Sequence, residues 1–208
     1  MEKEHRVIAI SSVSGGGKTT VVRKLVELLG DAVAVHFDDY ETHDTYPKNP
    51  AVLLDQGADF NVIKSPLLAQ HLKALRRGEP VPSPQTGEMI APARFIVYEG
   101  PLGRAQHETG QYIDFLVFID TPLEVGLARR LSRTIGSLNL ENMSREELLR
   151  ALNNLGRLAD NYLLWMRRSY LLQRELVRPG SDLILDGEQP AETIASAIVQ
   201  ALTEENWI

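Results

Sequence analysis

The run Val7-Ile8-Ala9-Ile10-Ser11-Ser12-Val13-Ser14-Gly15-Gly16-Gly17-Lys18-Thr19-Thr20 decides how this chain reads. Residues 7–10 are apolar and rich in β-branched side chains, as a buried strand is, and from 19 to 29 apolar residues recur at helical spacing. A glycine-rich loop between a strand and a helix turns successive backbone N–H groups toward a polyphosphate, and the positive end of the helix adds to the attraction. In that pattern Lys18 reaches the outer phosphates and Thr19 offers its hydroxyl to magnesium. Ser14, Gly15, Gly16, Gly17, Lys18, Thr19 and Thr20 are therefore the candidate nucleotide-binding residues. The pattern G-x-x-x-x-G-K-[ST] wants glycine where this chain has Ser12, and serine reaches strained backbone angles less cheaply. The plainer alternative is a strand-to-helix turn with an ordinary surface lysine.

Composition sets the outer limits. With 208 residues, 43% hydrophobic and 24% charged, the chain suits one compact domain, residues 1–208, with room for a small appended lobe. A formal net charge of −6 argues against a nucleic-acid binder that relies on a broad basic surface. The absence of cysteine excludes disulfides, thiolate metal sites and cysteine nucleophiles. No stretch approaches the length of a membrane span, so a cytoplasmic location and no membrane partner are expected. A homo-oligomer stays open.

Further apolar β-rich runs fall at 32–35, 95–98, 115–119 and 183–185, separated by helical patterns at 66–77, 123–133 and 191–202. The last of these follows Pro190, which suits a first helical turn. Alternating strands and helices predict an α/β fold in three layers, with a five-stranded parallel sheet covered on both faces. Ligands of such sheets sit beyond the carboxyl ends of the strands, and in this chain those ends are acidic. His36-Phe37-Asp38-Asp39-Tyr40 follows the second strand and Glu99-Gly100-Pro101 the third. A carboxylate there could orient or deprotonate an acceptor, or support magnesium. Taken alone, Asp38 and Asp39 read as cap or loop residues. If they continue an extended strand end, their side chains point in different directions. Glu99 ends a buried apolar strand, where an unpaired charge is costly, so magnesium or Lys18 is the expected partner. His36, His43, His71 and His107 show no metal-ligand spacing and receive no role.

A third signal follows Asp120-Thr121-Pro122. Arg129 and Arg133 share a helix face, with Arg130 beside them. Such a face is usually just solvated, yet the run leads into Thr134-Ile135-Gly136-Ser137, which reads as a flexible stretch able to close over phosphates. Arginine there would neutralise charge developing on a transferred group. The signal Ser144-Arg145-Glu146-Glu147 then starts a long amphipathic segment ending near Val177, in which Tyr162, Trp165 and Tyr170 read as packing residues.

Together these residues resemble the uridine kinase family of P-loop kinases, which includes nicotinamide riboside kinases, phosphoribulokinases and a pantothenate kinase type. The similarity covers most of the chain. Ser14 to Thr20 resembles the family's P-loop, Asp38-Asp39-Tyr40 its acceptor motif, and Glu99-Gly100 its glutamate after the third strand. Arg129-Arg130-x-x-Arg133 is similar to its lid motif, and the stretch before Asp186-Gly187 to the approach to the adenine border. The resemblance implies ATP and Mg²⁺ as cofactors and phosphorylation of a small molecule's hydroxyl. It further implies a lid near 129–165 and Gly187 beside the nucleotide. Lys18, Asp38, Glu99, Arg129, Arg130 and Arg133 would be catalytic, Asp38 being the acceptor's base, with Thr19 and Glu99 at the metal.

The sequence departs from the family at Thr134, which stands where uridine kinases have aspartate, and at Ile135-Gly136-Ser137, which lacks further arginines. Pro84-Gln85-Thr86-Gly87 stands roughly where the family has its uracil-side segment, so the acceptor stays open. The acceptor region, about 37–94, includes Asp44-Thr45-Tyr46-Pro47 and Gly57-Ala58-Asp59-Phe60-Asn61, which could frame a sugar or ring or be simple turns. Asp38, Tyr40 and Asp59 are the candidate substrate residues. Two alternatives remain: a nucleotide or antibiotic kinase on the same core, or a regulatory P-loop NTPase without a separate acceptor.

Overall fold

The computed structural model describes residues 5–47, 49, 54 and 59–208. Five parallel strands form the main sheet in the order β2-β5-β1-β6-β7. They are β1 (Arg6–Ser11), β2 (Ala32–His36), β5 (Phe95–Glu99), β6 (Phe115–Asp120) and β7 (Leu183–Asp186). The central strands are continuous apolar runs because each buries both faces. Within β1 the two-residue period sorts the core. Val7 and Ala9 join the cluster with Leu68, Leu72, Tyr98 and Phe118, whereas Ile8 and Ile10 join Val22, Leu25, Val117 and Ile198 on the other face.

The first face is covered by α2 (Pro66–Arg76) and reached by Val177 at the end of α6 (Arg167–Val177). The second is covered by α1 (Lys18–Leu29) and α7 (Ala191–Glu204), which pack against each other. The layers are thus those the alternating pattern predicts. Helix α1 starts directly after Gly17 at φ 95°, so the glycine loop delivers Lys18 to the first helical position. Among the described residues no helix is long and apolar enough to cross a membrane.

Three details differ from the sequence reading. Residues 37–43 form a 3₁₀ turn (Phe37–His43) rather than an extended strand end, so Asp38 and Asp39 diverge through its roughly 120° step per residue. Residues 134–136, expected to be a loop, are the last turn of α4 (Leu123–Gly136). A glycine at a helix end costs only about 1 kcal/mol, which the tertiary context overrides. A two-stranded antiparallel hairpin, β3 (Val81–Pro82) with β4 (Met89–Ile90), lies within residues 37–94, where the sequence reading expects the acceptor. Beyond α4, a capping box at Ser144 and Glu147 starts α5 (Arg145–Asn161), which continues through a π-helical turn (Tyr162–Met166) into α6. Gly57 and Ala58 of the acceptor reading lie outside the described residues. The short helix α3 (His107–Gly110) completes the fold.

Candidate active site

The P-loop wraps the end of β1 under close steric control. Gly15 has φ +79°, and a Cβ there would stand 2.1 Å from the carbonyl oxygen of Gly126 in α4. A Cβ on Gly16 would fall 1.9 Å from the Ser12 hydroxyl. Ser12 itself is buried and donates to Ile119 O at 2.7 Å. Its backbone is outside the left-handed region, since Asn206 is the one non-glycine residue with positive φ among those described. The loop therefore needs no glycine at position 12, and the missing pattern residue is accommodated by a hydrogen bond to the neighbouring strand.

At the mouth of this loop a cavity of about 260 Å³ is lined by Ser14, Gly15, Gly17, Lys18, Thr19, Thr20, Asp38, Glu99, Arg129 and Arg133. It lies beyond the carboxyl ends of β1, β2 and β5, where parallel sheets place their ligands. Lys18 Nζ is folded back onto Ser12 O at 3.1 Å and Val13 O at 3.3 Å. Burial lowers its pKa, opposed by the carboxylates of Glu99 and Asp38, while Arg133 adds to the lowering.

Glu99 is 8% exposed and would be a costly charge without partners. The Thr19 hydroxyl lies 3.1 Å from each of its carboxylate oxygens, and His36 Nδ1 lies 2.8 Å from Oε2. Burial raises its pKa, but the hydrogen bond from His36, the charge of Lys18 and the Thr19 hydroxyl together outweigh that, and the net direction is down. The acid is ionised at neutral pH. Conversely, the bond to Glu99 raises the pKa of His36 against its partial burial.

A second cavity of about 330 Å³ shares Gly17, Thr20 and Arg129 with the first and extends to Gly187, Glu188, Gln189, Pro190 and Ile194. Gly16 lines it too. Arg129 Nη1 donates to Gly187 O at 2.9 Å and so joins α4 to the loop after β7. Gly187 is held close, for a Cβ there would meet the Thr121 hydroxyl at 1.9 Å.

Three candidates stand elsewhere. Tyr40 is 1% exposed, and its hydroxyl bonds His71 Nδ1 at 2.9 Å, so its ring belongs to the core and does not face the cavity. Asp59 is exposed and accepts from Asn61 N at 2.9 Å, capping the turn Phe60–Val62. Arg130 Nη1 reaches the Tyr170 hydroxyl at 3.2 Å, tying α4 to α6, and is absent from the cavity lining. The helical period explains the separation from its neighbours, because adjacent residues on a helix face about 100° apart whereas Arg129 and Arg133 are one turn apart.

Residues 7–137, from the first strand through α4, match the phosphoribulokinase/uridine kinase family. This chain belongs to that family. Among curated relatives, the uridine kinase of Borrelia garinii subsp. bavariensis is 27% identical over 96% of this chain and 97% of its own length. That of Shewanella piezotolerans is 30% identical over 64% of this chain and 70% of its own. A solved structure of a possible uridine kinase from Bacillus stearothermophilus covers 89% of this chain and 91% of that one, at 15% identity and a TM-score of 0.49. The assignment rests on the sequence match, and it makes the protein a uridine kinase-like phosphotransferase acting on a small molecule.

Within this family member, two residues near the site carried no sequence signal. His36 shows no metal-ligand spacing in the sequence, and its partner is a glutamate 63 positions away. The β2–β5 register, which aligns His36 with Glu99, is the feature that identifies it. Gln173 is buried at 5% exposure and donates to Ser12 O and Pro101 O from α6, 161 positions from the P-loop.

Proposed function

We propose that the protein transfers the γ-phosphate of ATP to a hydroxyl of a small metabolite such as a nucleoside, with Asp38 acting on the acceptor. The observation that carries this reading is the convergence of Lys18, Thr19, Asp38, Glu99, Arg129 and Arg133 on one cavity. Phosphoryl transfer asks the protein for positioning and charge stabilisation, and these side chains supply both.

Loop amides and Lys18 would hold the β- and γ-phosphates. Lys18 must leave the carbonyls of Ser12 and Val13 to do so. The second cavity, bordered by Gly187, is the proposed adenosine site. Asp38 would orient the acceptor hydroxyl and take its proton, and Arg129 and Arg133 would meet the charge that develops on the transferred group.

The donor set fits magnesium. Thr19 and Glu99 offer hard oxygen ligands side by side, and among the described residues no group of three or more acidic or histidine ligands forms a metal cage. Magnesium commonly takes one or two protein oxygens and completes its shell with phosphates and water. When bound, it would neutralise charge on the β- and γ-phosphates. We place the reaction in the cytoplasm, the ordinary compartment for such a kinase.

Asp38 favours transfer over a regulatory NTPase, since water needs no separate acceptor pocket. A screen of nucleosides, nicotinamide riboside, pantothenate and simple sugars with ATP and magnesium, read as ADP release, tests the proposal. At least one acceptor should raise release well above the water background. Release unchanged by every acceptor would favour the hydrolase.

A further inference from the structure

We propose that Gln173 is a positioning residue for Lys18, keeping the buried Ser12 carbonyl paired when the lysine leaves it for a phosphate. This inference rests on the reading that Lys18 contacts the nucleotide. Lys18 Nζ donates to Ser12 O at 3.1 Å and to Val13 O at 3.3 Å, and reaching a phosphate in the cavity breaks both bonds. Each carbonyl has a second donor. Val13 O also accepts from Gly16 N at 3.0 Å, within the loop itself. Ser12 O accepts from Gln173 Nε2 at 2.9 Å, and that donor comes from α6.

The amide of Gln173 has two N–H groups and the geometry uses both. The other bond runs to Pro101 O at 2.5 Å, in the loop that follows Glu99. Pro101 O has a further donor, the Ser11 hydroxyl at 2.8 Å. One buried amide thus bridges the loop that leads to Lys18 and the loop that follows Glu99. Its position is braced by the next residue, Arg174, whose Nη2 pairs with Asp120 Oδ2 at 2.9 Å, and by Arg178 on the same carboxylate at 3.0 Å.

The energetic consequence is one-sided. Ser12 is fully buried, and a buried carbonyl left without a donor pays for its desolvation with no bond in return. With Gln173 present, the lysine can move without that cost. Without it, the retracted lysine becomes the donor that satisfies Ser12 O, and the penalty falls only on the nucleotide-bound state. Apparent nucleotide affinity then drops while the unliganded protein is little changed.

A double-mutant cycle separates this role from simple packing. Gln173→Met keeps the unbranched reach of the side chain and removes its donors, and Gln173→Leu provides a second apolar variant should the first fold poorly. Binding of ATP with magnesium, without acceptor, is titrated calorimetrically for each variant in the Lys18 and Lys18→Ala backgrounds, alongside Tm. In the Lys18 background, loss of Gln173 should weaken ATP about tenfold. In the Lys18→Ala background Ser12 O lacks the lysine in both states, so the same change should leave affinity within about twofold. An equal loss in both backgrounds would show a merely structural role and overturn the proposal, as would unchanged affinity in the first. If Lys18→Ala alone left ATP binding intact, the nucleotide reading would fall and this inference with it. A weakened Lys18→Ala variant beside a silent Gln173→Met would sink the inference alone.

Discussion

His36 and Glu99 stand opposite each other in the β2–β5 register, and their side chains meet at 2.8 Å beside the P-loop. The pair links β2 to the residue that touches Thr19. The pKa of His36 is raised, so its contribution to stability is complete below its ordinary value near 6.5 and is lost as pH rises through the folded value. The pKa of Glu99 is lowered, so its contribution is present above about 4.5 and is lost as pH falls through the folded value. Melting temperature followed from pH 4 to 9 should therefore decline on the alkaline side of about 6.5 in the wild type. In His36→Gln, which retains hydrogen bonding without the charge, that alkaline decline should flatten. Parallel curves for the two proteins would show that the pair does not titrate with folding.

The three arginines of α4 divide by geometry. Arg129 and Arg133 line the cavity at the mouth of the P-loop, while Arg130 is engaged with Tyr170. Alanine at 129 or 133 should lower turnover about a hundredfold or more, the scale of a lost transition-state donor, with a smaller effect on ATP affinity. Arg130→Ala should be milder by at least tenfold. Steady-state kinetics with calorimetric ATP binding decides this, and equal losses at all three positions would contradict the division.

Gly15 is constrained twice, by φ +79° and by the Gly126 carbonyl, whereas Gly17 at φ +95° has open space around it. Gly15→Ala should cost more stability than Gly17→Ala, because only the first must also displace a backbone. Denaturant midpoints compare them directly. Identical midpoints would mean that α4 does not press on the P-loop as described.

Much of the fold was legible because it depends on local patterns. The strand and helix periods and the glycine run announce a P-loop without any long-range information, and strand ends in a parallel sheet direct Asp38 and Glu99 toward it. Tyr40 misled because an aromatic beside two aspartates carries no sign of whether it faces a ligand or His71. Residues 134–136 misled because glycine and β-branched residues have weak helix propensity that one continuing turn overrides. His36 and Gln173 were illegible for a different reason. Their roles reside in bonds to residues 63 and 161 positions away, and a single sequence carries no record of which strands neighbour one another. The hairpin of β3 and β4, with two residues in each strand, is too short for alternation to register.

The assignment of Asp38 to the acceptor is the centre of the mechanism, and it is tested most directly by acceptor-stimulated release of ADP in Asp38→Asn and Asp39→Asn beside the wild type. Asparagine keeps the shape and removes the base, whose contribution is typically a hundredfold to ten-thousandfold. Asp38 lines the cavity and Asp39 does not. We predict that Asp38→Asn binds ATP as the wild type does and loses at least a hundredfold in acceptor-dependent turnover, with Asp39→Asn within about tenfold of the wild type. Full turnover by Asp38→Asn, or the reverse order of the two variants, would contradict it.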